Sequence, residues 1–468
     1  MNAPLPTTDA VVDQRHPWLG LASFSESTRG FFYGREEEVA ELARRVQRML
    51  LTVLFGQSGL GKTSILRAGL VPRLRAEGYC PVYVRIDYGP DAPSPALQIK
   101  QAILRETAAA GTWSRAGVAG QDESLWEFFH HRDDVLHDAD GRVLLPLLIF
   151  DQFEEIFTLA QGDDGGRRRA AAFLEDLAEL VENRPSAALE ARLEDDDSVV
   201  ERFDFARNDY RVLITLREDY LAHLESLKAA MPSITQNRMR LAPMTGQQAL
   251  AAVTGPGGRL VTEEVAAAIV RFVAGGAELA HAQVEPSLLS LICRELNDKR
   301  TAAGRDEISL DLLAGSHASI LSDFYARVLL EQPEAVRSVI EDMLLTASGY
   351  RENVAEEGVL HALTAAGAAP DAHSVLALLV DRRLLRIEER LDVRRVELTH
   401  DVLCGVVLAS RALRHEREER GIAERKLASQ RERERATRKA LLRARQITAG
   451  CVVLTVVSVG SAVFGYVK

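Results

Sequence analysis

Gly56-Gln57-Ser58-Gly59-Leu60-Gly61-Lys62-Thr63-Ser64 is the stretch on which the fold turns. It satisfies G-x-x-x-x-G-K-[ST] in full, follows the apolar run LTVLF (51–55) and opens a segment of helical periodicity. Glycines let backbone N–H groups curl around phosphates, and a helix N-terminus adds favourable potential for the anion. Lys62 is placed to reach the β- and γ-phosphates, and Thr63 to offer a hydroxyl to magnesium. Strand, loop and helix in this order predict a P-loop NTPase, with Gly56 through Ser64 as its phosphate cradle.

Outward from this loop, the runs PVYVRI (81–86), LLPLLIF (144–150), RVLITL (211–216) and RMRL (238–241) are short and apolar. Separated by amphipathic stretches such as EEEVAELARRVQRML (36–50) and AAFLEDLAELVE (171–182), they predict buried parallel strands in an α/β sheet over 31–244. LLPLLIF ends in Asp151-Gln152-Phe153-Glu154-Glu155. An apolar strand ending in Asp is the Walker B pattern, so Asp151 is expected at the metal. Hydrolysis also needs a group that orients water, and Glu154 or Glu155 could supply it. RVLITL leads into Arg217, at the carboxyl end of a strand, where α/β sheets bind ligands. Arg217 then either meets the γ-phosphate or pairs with Glu218 or Asp219. No NKxD stands where guanine would be read, which favours adenine, and no LSGGQ is present.

Composition sets the outer bounds. The chain has 468 residues, for which about three domains is the prior. Hydrophobic residues make up 47%, enough for real cores, and the net charge of −11 weighs against nucleic acid as a partner. Four cysteines, far apart and without a CxxC pair, suggest a reducing compartment rather than disulfides or zinc. The first thirty residues lack a signal peptide's pattern. The segment 185–209 reads as a surface excursion. After Pro243 the pattern is helical over 245–332, with breaks at TGPGG (254–258) and AGG (274–276). Residues 333–412 read as helices followed by a hairpin and a last helix, the order of a winged-helix domain. Residues 413–446 are an Arg- and Glu-rich helix or coil. Ile447 to Val467 runs without a charge, long enough for a membrane-spanning helix, with Arg438, Lys439, Arg443 and Arg445 before it. A buried helix or an interface with a further domain is the other reading of that run.

These residues together resemble the STAND class of regulatory P-loop ATPases, most closely the bacterial novel STAND family, over roughly 16–410. HPWLGLASF (16–24), FFYGREEEV (31–39), DQFEE, ITLRED and LAPM carry the resemblance. It implies that Tyr33, Gly34 and Arg35 lie near the adenine and that Pro243 packs on the base. It also carries a hydrolytic role over to Glu154 and Glu155. VELTHD (396–401) is similar to the His-Asp motif of STAND winged-helix domains, which implies that His400 contacts the β-phosphate of ADP in a closed state. Family members often carry sensor arrays beyond this point, so a separate sensor or effector chain, or a longer parent sequence, is implied. The expected function is a cytoplasmic switch that binds ATP or ADP with Mg2+, self-assembles on activation and is anchored to the inner membrane, in bacterial stress or phage defence. The alternatives are an AAA+-like ATPase acting on DNA through its winged helix and a membrane scaffold that binds ATP without turnover.

Overall fold

The computed structural model describes residues 12–466 apart from 85, 87–91, 114–122, 160–163, 276, 314–316, 347, 369–371, 383, 391–392 and 400–402. The chain divides into two compact units, Met1–Val406 and Val407–Lys468.

The first unit is built on helix α1 (Glu36–Arg48), whose buried Val39, Leu42, Ala43 and Val46 recur at helical spacing. Its three first-turn glutamates and its Arg45 and Arg48 in the last turn complement the helix dipole. Strand β1 (Leu51–Gly56) follows and runs through the phosphate loop into helix α2. That helix is helical at Lys62–Ser64, widens to π-helical spacing over Ile65–Leu70 and tightens again over Val71–Ala76. Strand β2 (Tyr79–Tyr83), helix α3 (Pro95–Ala110), strand β3 (Leu145–Phe150), helices α4 (Glu155–Leu159) and α5 (Asp164–Val181), and strands β4 (Arg211–Arg217) and β5 (Arg238–Arg240) complete the layer.

The strand order is β2-β3-β4-β1-β5, and every pairing in this sheet is parallel. Its strands read as continuous apolar runs because both faces are covered. Leu147, Ile149 and Leu213 face one cluster with Leu42, Leu66 and Leu70. Leu148, Phe150, Val212 and Ile214 alternate onto the other, with Ile99, Phe173 and Leu177. The segment 185–209 is mostly exposed, with Leu189 and Phe203 anchoring it in a small cluster around Trp126.

Beyond β5, a short ladder of β6 (Met244–Thr245) and β7 (Gln283–Val284) holds together helices α6 (Gly246–Gly257), α7 (Glu263–Val273) and α8 (Pro286–Ala302). Helix α6 opens on a capping box of Thr245 and Gln248. It continues through Pro256, so the break expected at 254–258 falls only at its end, where Gly258 turns to φ +49°. Helices α9 (His317–Val328), α10 (Glu334–Met343), α11 (Glu356–Leu363) and α12 (Ala372–Asp381) then lead to a three-stranded antiparallel sheet. Its order is β8 (Val354–Ala355), β10 (Val393–Leu398), β9 (Leu385–Arg390). The second unit is helical, part of α13 (Cys404–Tyr466).

Candidate functional site

The carboxyl ends of β1, β3 and β4 meet at the phosphate loop, and the side chains there bond across the three strands. Thr63 Oγ1 donates to Asp151 Oδ2 at 2.8 Å, and Thr215 Oγ1 donates to Asp151 Oδ1. Asp151 is thus held at both oxygens, by the first turn of α2 and by the neighbouring strand. Thr215 Oγ1 also accepts the Gln152 N–H at 3.1 Å, while the Thr215 carbonyl accepts the Phe153 N–H at 2.8 Å. Gln152 takes φ +62°, a left-handed turn that sends the chain sharply off β3.

Within the loop, Gly59 and Gly61 have φ +85° and +83°, values that only glycine adopts without strain. Lys62 Nζ donates to the carbonyls of Gly56 at 2.8 Å and Gln57 at 3.0 Å. Burial pulls the Lys62 ammonium below its usual range, and the Glu154 and Asp151 carboxylates oppose that pull. Ser64 Oγ accepts the N–H of Phe24 at 3.1 Å, tying the segment 18–25 to the loop.

Glu154 faces the same cavity as Lys62. Burial raises its carboxyl above the ordinary glutamate range, against hydrogen bonds from backbone N–H groups and the attraction of Lys62. One of those bonds, from the Arg217 N–H to Glu154 Oε2, is 3.2 Å long. Glu155 opens α4 and is absent from the described residues that line the cavity. The Arg217 guanidinium grips Asp219 through two bonds, of 3.1 and 2.8 Å, at the cavity edge.

Arg35 lines the cavity beside Tyr33 and is tied to the phosphate loop. Only 2% exposed, it donates to Glu38 at 2.6 Å, to the Leu60 carbonyl at 3.3 Å and to the Ala242 carbonyl at 2.9 Å. It clamps the phosphate loop to the end of β5. Gly34 beside it has φ +81°, and a Cβ there would lie 2.3 Å from the Gln248 carbonyl oxygen, so the turn packs directly on α6. Tyr33 lies against Gly255 of α6 and lines the cavity, as does Met244; Pro243 is not among its lining residues. His400 lies outside the described residues.

The cavity, of about 720 Å³, extends well beyond the loop. Its walls include Trp18 to Ser25, the start of α8 (Pro286, Ser287, Leu289, Ser290), and Arg351, Arg386, Ile387 and Thr399 beside the antiparallel sheet. Of these last four only Arg386 stands out in the sequence, as one of the arginines around the hairpin, and long-range packing brings all of them to the cavity. Several lining groups are buried polar atoms without a hydrogen-bond partner among the described residues: Trp18 Nε1, Tyr83 Oη, Ser290 Oγ and Thr399 Oγ1. Buried polar groups are normally satisfied, so such a set suits a polar ligand.

A parallel sheet, a full phosphate loop and an aspartate bonded to its threonine define a P-loop NTPase. The chain matches the family model Novel STAND NTPase 1 over residues 17–440 and belongs to that family. None of the curated proteins compared with it matches significantly. Among solved structures it is similar to Cdc6p from Pyrobaculum aerophilum, at 14% identity, TM-score 0.38, covering 84% of this chain and 99% of that one. It is also similar to a Walker-type ATPase of Pyrococcus abyssi, at 15% identity, TM-score 0.40, covering 82% and 97%. The ORC2 protein of Aeropyrum pernix, solved as ADPNP–ADP complexes, is similar at 16% identity, TM-score 0.39, covering 80% and 92%.

Proposed function

We propose that this protein is an ATP-binding, slowly hydrolysing switch, closed with ADP and opened by ATP for self-assembly. The observation that carries the reading is the shared cavity. Lys62, Thr63 and Asp151 line it from the sheet, while Arg351, Arg386 and Thr399 line it from the far end of the same unit. A ligand in that cavity touches both, so exchange of ADP for ATP changes contacts on both sides. A ligand shifts such an equilibrium only through its different affinity for the two states.

The donor set fits a magnesium nucleotide. The Thr63 hydroxyl and the Asp151 carboxylate, 2.8 Å apart, would hold Mg2+. The ion would neutralise phosphate charge. Lys62 would leave its loop carbonyls for the β- and γ-phosphates. Glu154, its carboxyl raised by burial above the ordinary glutamate range, would hold the attacking water and take its proton. Glu155 is the weaker candidate for that role, and Arg217 would act only after releasing Asp219. Gly34, Arg35 and Pro243 would shape the base end, Arg35 through the loop it clamps. His400 would contact the ADP β-phosphate from a winged-helix unit spanning 333–412, after a P-loop domain at 31–244 and a helical domain at 245–332.

The hairpin arginines also bear on the DNA alternative. Arg386 pairs with Glu397, Arg394 with Glu356 and Arg382 with Glu331, which favours internal ion pairing over a basic DNA-binding face. A signalling role in stress or phage defence, with a separate sensor or effector, is the physiological setting we assign. Mass photometry with ADP and with a non-hydrolysable ATP analogue tests the switch. Larger assemblies with the analogue are expected, and an identical monomer in both would overturn it.

A further inference from the structure

Tyr83 ends β2, on the outer side of the strand that carries Asp151. Its Cα pairs with Ile149 in the parallel register. Residues paired across a parallel ladder share a face, so Tyr83 and Ile149 lie on one side of the sheet, and Asp151 follows directly on the last residue of β3. Tyr83 packs against the cluster on that same side, with Ile149, Ile65 and Leu66, beneath the helix that starts at the phosphate loop. Asp151 therefore has strand β4 on one flank, donating through Thr215, and β2 with Tyr83 on the other.

Tyr83 and Thr215 differ in one respect. The Thr215 hydroxyl has found Asp151, whereas the Tyr83 hydroxyl is buried, lines the cavity and has no acceptor for its proton among the described residues. A buried phenol O–H without an acceptor is costly and is normally satisfied by protein, water or ligand. The Arg67 guanidinium stands over the Tyr83 ring, 5.2 Å from its centroid, and Arg67 lines the cavity too. Arg67 sits on the π-helical turn Ile65–Leu70, an insertion frequent at functional sites. A cation over the ring draws electron density from it and strengthens the hydroxyl as a donor. Burial, first, and the Asp151 carboxylate push the phenol's pKa up, so the group keeps its proton at physiological pH.

We infer that the Tyr83 hydroxyl donates a hydrogen bond to an oxygen of the terminal phosphate of a bound nucleoside triphosphate, with Arg67 reinforcing it through the ring. The inference rests on the ATP-binding reading above. The loop N–H groups and the start of α2 serve the inner phosphates. The terminal phosphate of a bound triphosphate would be held by Lys62 on the side of Asp151, on whose flank Tyr83 stands. Tyr83 is then a residue that tells triphosphate from diphosphate.

Tyr83→Phe removes one oxygen and keeps the ring. Equilibrium binding in Mg2+ is measured for a fluorescent non-hydrolysable ATP analogue and for fluorescent ADP, in the full chain. Losing a hydrogen bond to a charged acceptor should weaken the analogue about tenfold. ADP affinity should stay within about twofold, and the ligand-free melting temperature should hold, because no protein partner is lost. Arg67→Gln should reduce analogue affinity in the same direction by less. Equal losses for both nucleotides, no loss for either, or a lowered ligand-free melting temperature would each overturn the role given to Tyr83. Wild-type protein that binds neither nucleotide would overturn the ATP reading itself, and Tyr83's role with it.

Discussion

Thr63 and Asp151 stand 88 positions apart in sequence and are joined by a hydrogen bond of 2.8 Å. The bond fixes a hydroxyl from the phosphate loop and a carboxylate from the third strand on one spot, where their oxygens can converge on one cation. Thr63→Val keeps the shape of the side chain and removes the oxygen. We expect nucleotide affinity in EDTA to stay within about twofold, while the gain on adding Mg2+ shrinks by roughly tenfold, the worth of a ligand or charge-assisted bond. Titrating a fluorescent nucleotide with and without Mg2+ checks this. An unchanged magnesium gain would remove Thr63 from the metal site.

The two glutamates after Asp151 separate cleanly by position. Glu154 lines the cavity beside Lys62, while Glu155 begins α4. Glu154→Gln should cut turnover about 10²-fold or more with binding retained, the usual scale for losing a general base. Glu155→Gln should change turnover less than about threefold. Phosphate release under saturating ATP decides between them, and the reverse ranking would transfer the water-orienting role to Glu155.

The sheet was legible because a parallel strand covered on both faces must be apolar throughout, as LTVLF and LLPLLIF are. Strand ends were less so. β2 begins at Tyr79 because it pairs with Leu145, a choice made by the neighbour and not by apolar character. Pro256 read as a helix breaker, yet it sits in the last turn of α6, where the missing N–H costs a single bond. At the site, local motifs announced Lys62, Thr63 and Asp151. Arg35 sits in its motif but works through carbonyls 25 and 207 positions away, which no local pattern encodes. Tyr83 and Arg351 reach the cavity through strand order and domain packing, so the signal for them lies in the fold alone.

Acid pH should stabilise the first unit through two carboxyls on α5. Burial pushes Asp176 up to about 6, with its Oδ1 accepting the Leu125 N–H at 2.9 Å and Lys100 opposing the shift. Burial, then Asp176 and Glu175, push Glu179 up to about 7. A folded-state pKa above the unfolded value, about 4 for these groups, favours folding fully below that value. The contribution is lost as pH rises through about 6 to 7. Melting temperature should therefore fall between about pH 5 and pH 8, with the buried Asp176 contributing more than the more exposed Glu179. Asp176→Asn keeps the acceptor for Leu125 and should flatten that slope. A slope as steep as the wild type would assign the effect to other groups.

The last prediction concerns α13. Its segment Ala444–Ser461 has a mean hydropathy of 1.3 over 18 residues, with none of it buried. Ile447, Val453, Leu454 and Val456 are each more than 60% exposed, an apolar surface of the kind that marks a membrane or protein contact. Eighteen helical residues rise roughly 27 Å, close to the hydrocarbon thickness of a bilayer. Arg438, Lys439, Arg443 and Arg445 precede the segment, and by the positive-inside rule a span would keep that side in the cytoplasm. No charged residue stands along 447–459, whereas a helix lying on the surface needs a strongly charged face. The chain should therefore resist carbonate extraction from membranes when expressed whole, and a version ending at Arg445 should be released into the soluble fraction. Whole chain released by carbonate would refute the span, and a truncated chain still resisting extraction would place the anchor elsewhere.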